Sequence, residues 1–178
     1  GRALGMGMTG RVFEALDVHL DRTVALKILR ASTGLPADFE REARALASIR
    51  HHNVPVVHAF GMHGRLPFFV MEMVEGKSLA EVIDQHVSHG AFVPIFRAVQ
   101  VVHKIALALS AAHACGIVHR DVKPQNVIIE DGTGRPVLAD FGMALSDLPA
   151  SDVPVRGTPA YMAPEILAKG TPSAASDQ

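Results

Sequence analysis

Short stretches rich in Val, Leu and Ile alternate with polar segments up to about Gly76, and this pattern predicts strands around one helix. Between residues 38 and 50 the apolar positions recur at helical spacing, which predicts an amphipathic helix. The polar segment 17–22 is typical of a turn, so we expect a β-hairpin around it. The predicted strands are 11–16, 23–29, 54–60 and 66–73.

Helical patterns dominate after Gly76, which we interpret as a hinge between two lobes. Ser78 and Glu81 have the spacing of a capping box and predict the start of a short helix. A long apolar stripe over residues 98–112, ending at Gly116, predicts a second helix that is largely buried. Beyond it we expect strands at 127–129 and 137–139 and a loop over 141–154.

The composition excludes several classes of protein. Seventeen Lys and Arg against eighteen Asp and Glu give a net charge of −1, so we expect no nucleic-acid partner. The longest apolar stretches, such as 66–74, are interrupted, here by Pro67 and Glu72, and we expect neither a membrane span nor membrane contact within this segment. The single cysteine, Cys115, cannot form an internal disulfide, which suits a cytoplasmic location.

Two features near the start of the chain indicate phosphate binding, although each is weak by itself. Gly5, Gly7 and Gly10 followed by Val12 could cover phosphates with their backbone N–H groups, and a plain glycine-rich turn fits the pattern equally well. Lys27 alternates with apolar residues in a predicted strand. A buried ammonium needs an anion, which phosphate oxygens or Glu42 could supply. We favour Glu42, and a surface lysine is the alternative.

The segment His119 to Asn126, followed by Asp140-Phe141-Gly142, carries the strongest signal. Asp121, Asn126 and Asp140 supply a carboxylate, an amide and a second carboxylate on adjacent predicted loops. Phosphoryl transfer needs a group that orients the nucleophile and hard oxygen ligands for magnesium. These residue types therefore indicate a site of that chemistry.

With these motifs and Ala163-Pro164-Glu165 in order, the chain resembles the eukaryotic-like (Hanks-type) protein kinase domain, in a bacterial style. The resemblance implies an α+β, two-lobed fold. A small antiparallel-sheet lobe with one helix would span residues 1–75, and an incomplete, mainly helical lobe would span 76–178. It implies an enzyme that uses ATP and Mg²⁺.

The resemblance also assigns roles to individual residues. Asp121 would orient the substrate hydroxyl and accept its proton, Lys123 would neutralise the transferred phosphoryl group, and Lys27, held by Glu42, would contact the ATP phosphates. Asn126 and Asp140 would bind magnesium. The nucleotide would be bound by Leu4, Gly5, Gly7, Gly10, Val12, Ala25, Lys27, Met71, Glu72, Val74 and Ile128.

Lys123 and the segment Gly157 to Tyr161 resemble the serine/threonine branch of the family, so the expected partners are proteins with Ser or Thr acceptors. Arg120 beside the catalytic Asp suggests regulation by phosphorylation of the activation segment. Ser146 and Ser151 are its available hydroxyls. We hypothesise autophosphorylation at Ser151, with a kinase dimer acting in trans.

The chain begins with Gly1 and shows no signal peptide, and we expect it to be a segment truncated at both ends, poorly stable by itself. Three alternatives to a protein kinase are considered. A pseudokinase scaffold usually lacks one of Lys27, Asp121 and Asp140, which are all present. A small-molecule phosphotransferase would not need the 157–165 segment, and a dinucleotide-binding redox enzyme would need a helix after the glycines.

Overall fold

The computed structural model describes residues 1–6, 10–30, 39–141, 158–168 and 170–178. Its first part is a five-stranded antiparallel sheet with strand order β1-β2-β3-β5-β4. The strands are β1 (Ala3–Met6), β2 (Gly10–Asp17), β3 (Arg22–Leu29), β4 (Val57–His63) and β5 (Leu66–Glu72). The expected hairpin is present as β2 and β3, which pair from Gly10 with Leu29 to Asp17 with Arg22.

One helix, α1 (Phe39–Ser48), packs on this sheet. Its buried residues Phe39, Ala43 and Leu46 are the apolar positions that the sequence pattern assigns to one face. The Phe39 ring meets the Phe69 ring of β5 edge to face, with ring centroids 5.7 Å apart. Aromatic and aliphatic packing between the helix and the central strands therefore forms the core of this part.

The second part combines a three-stranded antiparallel sheet with helices. The strands are β6 (Gly76–Ser78), β7 (Val127–Glu130) and β8 (Pro136–Leu138), in the order β6-β7-β8. The helices are α2 (Leu79–Ser88), α3 (Ile95–Ala114) and α4 (Pro164–Leu167). The predicted capping box is confirmed, since the Ser78 hydroxyl accepts from the Glu81 N–H and the Glu81 carboxylate accepts from the Ser78 N–H.

Strand β6 is absent from the sequence prediction, which interprets Gly76 as a hinge. Gly76 instead pairs with Glu130 of β7. A Cβ atom at residue 76 would lie 2.2 Å from the Ile129 carbonyl oxygen, so close contact between two backbones explains the glycine.

The expectation that the long helix is largely buried is wrong for α3. Ile105, Ala108, Leu109 and Ala112 are buried, but five other large apolar residues of α3 are exposed: Ile95, Phe96 (71%), Val99, Val102 and Leu107. By length and hydropathy α3 could also cross a bilayer, with a mean hydropathy of 1.4, because the polar residues that interrupt it are few. A core helix can have the same properties, and the absence of membrane contact stays a prediction.

Two hydrogen bonds join the loop before β4 to β8. The Asn53 side-chain amide donates to the Pro136 carbonyl at 2.6 Å, and the Asn53 carbonyl accepts from the Leu138 N–H at 2.8 Å. Asn53 is 5% exposed, so these bonds are shielded from water. The loop that follows α1 is thereby held against the strand that leads to Asp140.

Candidate active site

A cavity of about 670 Å³ lies between the five-stranded sheet and the β7–β8 hairpin. Most residues predicted to bind the nucleotide line it, and so do both predicted metal ligands. These cavity-lining residues are Leu4, Gly5, Val12, Ala25, Lys27, Met71, Glu72, Val74, Asn126, Ile128 and Asp140. A pocket of this size, apolar with a few polar groups at one end, is typical of a site for a small ligand.

The predicted nucleotide-binding residues include two further glycines, Gly7 and Gly10. Gly7 lies outside the described residues. Gly10 is buried in β2 and is not among the cavity-lining residues. A Cβ atom there would lie 2.2 Å from the Ile28 carbonyl oxygen, so Gly10 has a structural reason to be glycine. Its contact with a nucleotide stays a prediction.

Lys27 is a buried residue of β3 that lines the cavity. Its side chain is 6% exposed, and the Nζ ammonium forms an ion pair with the Asp140 carboxylate. A buried ammonium without an anion would be costly, so Asp140 supplies the charge that the burial of Lys27 requires. The sequence pattern predicts phosphate oxygens or Glu42 as the anion, and it does not indicate Asp140.

Glu42 is half-buried on α1, three residues after Phe39 and four before Leu46, on the apolar edge where the sequence pattern places it. Leu46 lines the cavity, so Glu42 lies one helical turn from it. Glu40 and Arg44 are exposed and pair with each other at 3.0 Å, as expected for the outer face. The pairing of Lys27 with Glu42 stays a prediction.

Asp121 forms a compact polar group with three neighbours. Its Oδ2 atom accepts from Asn126 Nδ2 at 2.9 Å and from Lys123 Nζ at 2.8 Å. Lys123 also donates to the Thr158 hydroxyl at 3.1 Å, which links this loop to the described end of the activation segment. Asp121 and Lys123 are 10% and 19% exposed, so the group opens to solvent on one side only.

A buried carboxylate holds the backbone of this loop. The Asp177 side chain has no exposed surface, and its two oxygens accept from the His119 and Arg120 N–H groups, each at 2.8 Å. His113 hydrogen-bonds to the same carboxylate at 2.8 Å. Arg120 adopts a left-handed conformation, with φ of 69°, which is strained for a residue with a side chain. Asp177 therefore stabilises a strained backbone next to Asp121.

His119 is fully buried between the loop and the strand that leads to Asp140. Its Nε2 atom lies 2.9 Å from the Ala139 carbonyl, and its ring meets the Phe141 ring edge to face, 4.6 Å between centroids. Burial lowers the pKa of His119 from its ordinary value, so the ring is neutral near pH 7. Phe141 belongs to the core cluster, which fixes the position of the adjacent Asp140.

Asn126 and Asp140 fit a magnesium site by their chemistry. Asn126 uses Nδ2 to donate to the Asp121 carbonyl and carboxylate, which leaves Oδ1 as its oxygen for a metal. Both residues line the cavity beside Lys27. Among the described residues no cluster of three or more His, Cys, Asp and Glu could hold a metal. Oxygens of a nucleotide and of water would have to complete the coordination, as magnesium commonly requires.

Three features of the site were missed by the sequence argument. Leu46 lines the cavity, and its place on the apolar face of α1 was a usable signal. Asp177 bonds to a loop 58 positions away along the chain, so no local pattern marks it. The third is Arg135, which donates to the cavity-lining Glu72 at 2.6 Å; nothing in the sequence near it marks a functional site. The predicted phosphorylation residues Ser146 and Ser151 lie outside the described residues.

Comparisons with known proteins agree with this geometry. The sequence model of the protein kinase domain family matches residues 1–178. The chain is 38% identical to the serine/threonine-protein kinase PknL of Mycobacterium bovis over 98% of its own length and 44% of that protein. It is 39% identical to the serine/threonine-protein kinase pkn2 of Myxococcus xanthus, over 92% of the chain and 21% of that protein.

The fold is also similar to a solved structure. The kinase domain of Mycobacterium tuberculosis PknI superposes with a TM-score of 0.74 at 27% sequence identity, covering 99% of this chain and 66% of that one. The expected two-lobed α+β fold is confirmed by this match. The chain spans less than half the length of the curated relatives to which it is similar.

Proposed function

Because the chain belongs to the protein kinase domain family, we propose that the protein transfers the γ-phosphoryl group of ATP to Ser or Thr hydroxyls of proteins. The observation that carries the proposal is the convergence of Lys27, Asp140 and Asn126 on one cavity, with Asp121 hydrogen-bonded to Asn126 at its edge. Together these residues would supply an ammonium, two metal-ligand oxygens and a carboxylate base.

The apolar walls of the cavity would bind the adenine ring, with Val12, Ala25 and Ile128 on its faces and Met71 at the back. The Glu72 N–H donates to the Val56 carbonyl at 2.8 Å, so Glu72 would meet adenine through its own carbonyl oxygen. The Val74 N–H would be the donor. From the resemblance alone, both residues would form backbone hydrogen bonds to adenine; the structure adds which of them would accept and which would donate.

Lys27 would exchange Asp140 for phosphate oxygens when the nucleotide binds, and Asp140 would then be available as a metal ligand. Bound magnesium would neutralise charge on the phosphates. Asn126 holds the Asp121 carboxylate in place, so that it can orient the attacking hydroxyl and accept its proton. The hydroxyl oxygen forms a bond to the γ phosphorus, the bond to the β–γ bridging oxygen breaks, and ADP leaves.

Lys123 contributes by position and charge. It bridges the Asp121 carboxylate and the Thr158 hydroxyl, and its ammonium would lie where negative charge accumulates on the transferred group. No observation favours the pseudokinase alternative. Lys27, Asp121 and Asp140 are all present, and the Lys27–Asp140 ion pair at the cavity supports a role in phosphoryl transfer.

The proposal extends to the location of the protein, its division into lobes and its activation. A cytoplasmic location for residues 1–178 suits a domain that needs ATP and magnesium, and Cys115 is a free thiol. A lobe division into 1–75 and 76–178 is supported by the separate sheets on either side of the cavity. Transfer in trans within a dimer, onto Ser151, would activate the protein.

The test is radiolabel transfer from γ-labelled ATP to a generic basic protein, with identification of phosphoserine and phosphothreonine. The Asp121→Asn variant should lose about 10²- to 10⁴-fold in kcat, because a neutral amide cannot accept the hydroxyl proton. Asp84→Asn, an exposed change on α2, is the matched control and should retain wild-type activity. Equal activity of Asp121→Asn and wild type would refute the proposed function.

A further inference from the structure

Arg135 immediately precedes β8 and joins three segments of the chain. Its Nε and Nη2 atoms donate to the two carboxylate oxygens of Glu130 at 3.0 and 2.7 Å. Nη2 also donates to Glu72 Oε1 at 2.6 Å, and Nη1 donates to the His52 carbonyl at 2.7 Å. The side chain is 12% exposed, so the guanidinium is largely shielded from water while it makes these bonds.

The contact with Glu72 reaches the proposed nucleotide site directly. Glu72 ends β5 and lines the cavity. Its second carboxylate oxygen, Oε2, accepts from the Val56 N–H at 3.1 Å, and its own N–H donates to the Val56 carbonyl. Arg135 thus holds a carboxylate that in turn holds the loop before β4 against the last residue of β5.

The electrostatics of the cluster favour one fixed arrangement. Hydrogen bonds from Arg135 lower the pKa of Glu130, and those bonds raise the pKa of Arg135. A guanidinium that bonds to two carboxylates and a carbonyl has little rotational freedom left. Removing it would leave the Glu72 carboxylate without its cationic partner at the rim of the cavity, next to the peptide groups that would face adenine.

We propose that Arg135 is a positioning residue for nucleotide binding, which acts through Glu72 to pre-organise the adenine-facing backbone of residues 72–74. The inference rests on the proposed function, since it assumes that the cavity binds a nucleotide. A site already ordered before binding loses less entropy when the ligand arrives, so the effect belongs to affinity. It leaves the transfer step, which Asp121 and Lys123 carry out, almost unchanged.

The first measurement is the rate of amide hydrogen exchange in the complete protein without nucleotide. Arg135→Gln removes the positive charge of the contact with Glu72. Glu72→Gln removes the negative charge of the same contact and serves as the second variant if Arg135→Gln does not fold. Both should accelerate exchange at the Val56 and Glu72 amides. Thr133→Ala is the matched control, because the Thr133 hydroxyl bonds to Glu130 and to the Arg135 backbone N–H in the same hairpin but leaves the bond from the Arg135 guanidinium to Glu72 in place. Unchanged exchange in both Gln variants would overturn the proposal.

The second measurement is binding of Mg·ADP and steady-state kinetics with ATP. Arg135→Gln should weaken ADP binding and raise KM for ATP about tenfold, with kcat within about threefold of wild type. The double variant with Glu72→Gln should bind ADP no more weakly than Arg135→Gln alone. Equal losses in Thr133→Ala, additive losses in the double variant, or a fall in kcat with KM unchanged would each contradict the positioning role.

The binding of Mg·ADP to the wild-type protein distinguishes a failure of the proposed function from a failure of the proposed role of Arg135. Wild-type protein that binds no Mg·ADP would refute nucleotide binding, and with it the affinity effect. If the wild type binds Mg·ADP and Arg135→Gln binds it equally well, the proposed function stands and the role of Arg135 is refuted.

Discussion

The His119 ring links the two loops on which the proposed chemistry depends. Its Nδ1 atom accepts from the Asp121 N–H at 3.3 Å, and Nε2 lies 2.9 Å from the Ala139 carbonyl. A carbonyl can only accept, so the neutral ring carries its proton on Nε2. A second proton on Nδ1 would remove the acceptor for Asp121 and place a charge in the core. The ring therefore supports the catalytic loop only in its neutral form.

This tautomer gives a pH dependence of stability with a definite sign. Burial lowers the pKa of folded His119 below its ordinary value of 6.5, whereas the unfolded chain keeps that value. As the pH falls through 6.5, the unfolded state binds the proton first, so the free energy of unfolding decreases. The loss is at most about 1.4 kcal/mol per pH unit for one group and is absent well above pH 6.5.

Urea unfolding of the complete protein at pH 7.5 and pH 5.5 measures this effect. His58→Gln is the control, because burial also lowers the pKa of His58, which lies on β4. The control should keep most of the decrease seen in the wild type. A free energy of unfolding that is the same at both pH values would contradict the neutral, buried His119.

For individual residues, there is a physical reason why the sequence predicts some contacts of the site and not others. Residue types and spacing were enough to single out Lys27, Asp121 and Asp140, because their chemistry is local to short motifs. The ion pair of Lys27 with Asp140 joins residues 113 positions apart. No helical or strand period relates such positions, so only the folded chain brings the pair together. Arg135 was missed for the same reason.

Gly5 of β1 and Gly10 of β2 differ in their surroundings. A Cβ atom on Gly5 would meet no heavy atom within 4 Å, whereas one on Gly10 would collide with the Ile28 carbonyl of β3. Gly5 lines the cavity. We therefore expect the proposed phosphates to lie beside Gly5, whereas the close contact at Gly10 belongs to the packing of β2 on β3.

Alanine at each position separates these two roles. Gly5→Ala should change the free energy of unfolding by less than about 0.5 kcal/mol and weaken Mg·ADP binding about fivefold, because its methyl group enters the cavity. Gly10→Ala should destabilise the fold by about 1 to 3 kcal/mol, since β2 must move away from β3. Thermal unfolding measures the change in stability, and ADP titration measures the change in affinity. A Gly5→Ala variant that is destabilised but binds Mg·ADP as tightly as wild type would contradict the role of Gly5 in the cavity.

Elements with a strong local signal were predicted well, and the others were not. The α2 capping box and the apolar face of α1 depend on neighbouring residues, so the pattern contains all the information. Strand β6 has three residues and exists because β7 lies beside it. The exposed face of α3 shows the reverse case, since an apolar stripe predicts that a helix can be buried and does not specify what covers it.

Across the whole molecule, the cavity is formed where two separate sheets approach each other. The five-stranded sheet supplies Lys27 and Glu72, and the β7–β8 hairpin with its flanking loops supplies Asn126 and Asp140. Asn53 and Arg135 hold the two sides together near the cavity. The resemblance to protein kinases predicted this convergence, whereas composition and periodicity contain no information about the distance between the sheets.

The most direct test of the account is a crystal structure of the complete protein with magnesium and a non-hydrolysable ATP analogue. We predict phosphate oxygens against the Lys27 ammonium, a magnesium ion bound by Asn126 and Asp140, and a terminal phosphate that faces the Asp121 carboxylate. A nucleotide bound in another cavity, or phosphates that leave the Lys27–Asp140 ion pair intact and bind metal through other residues, would contradict it.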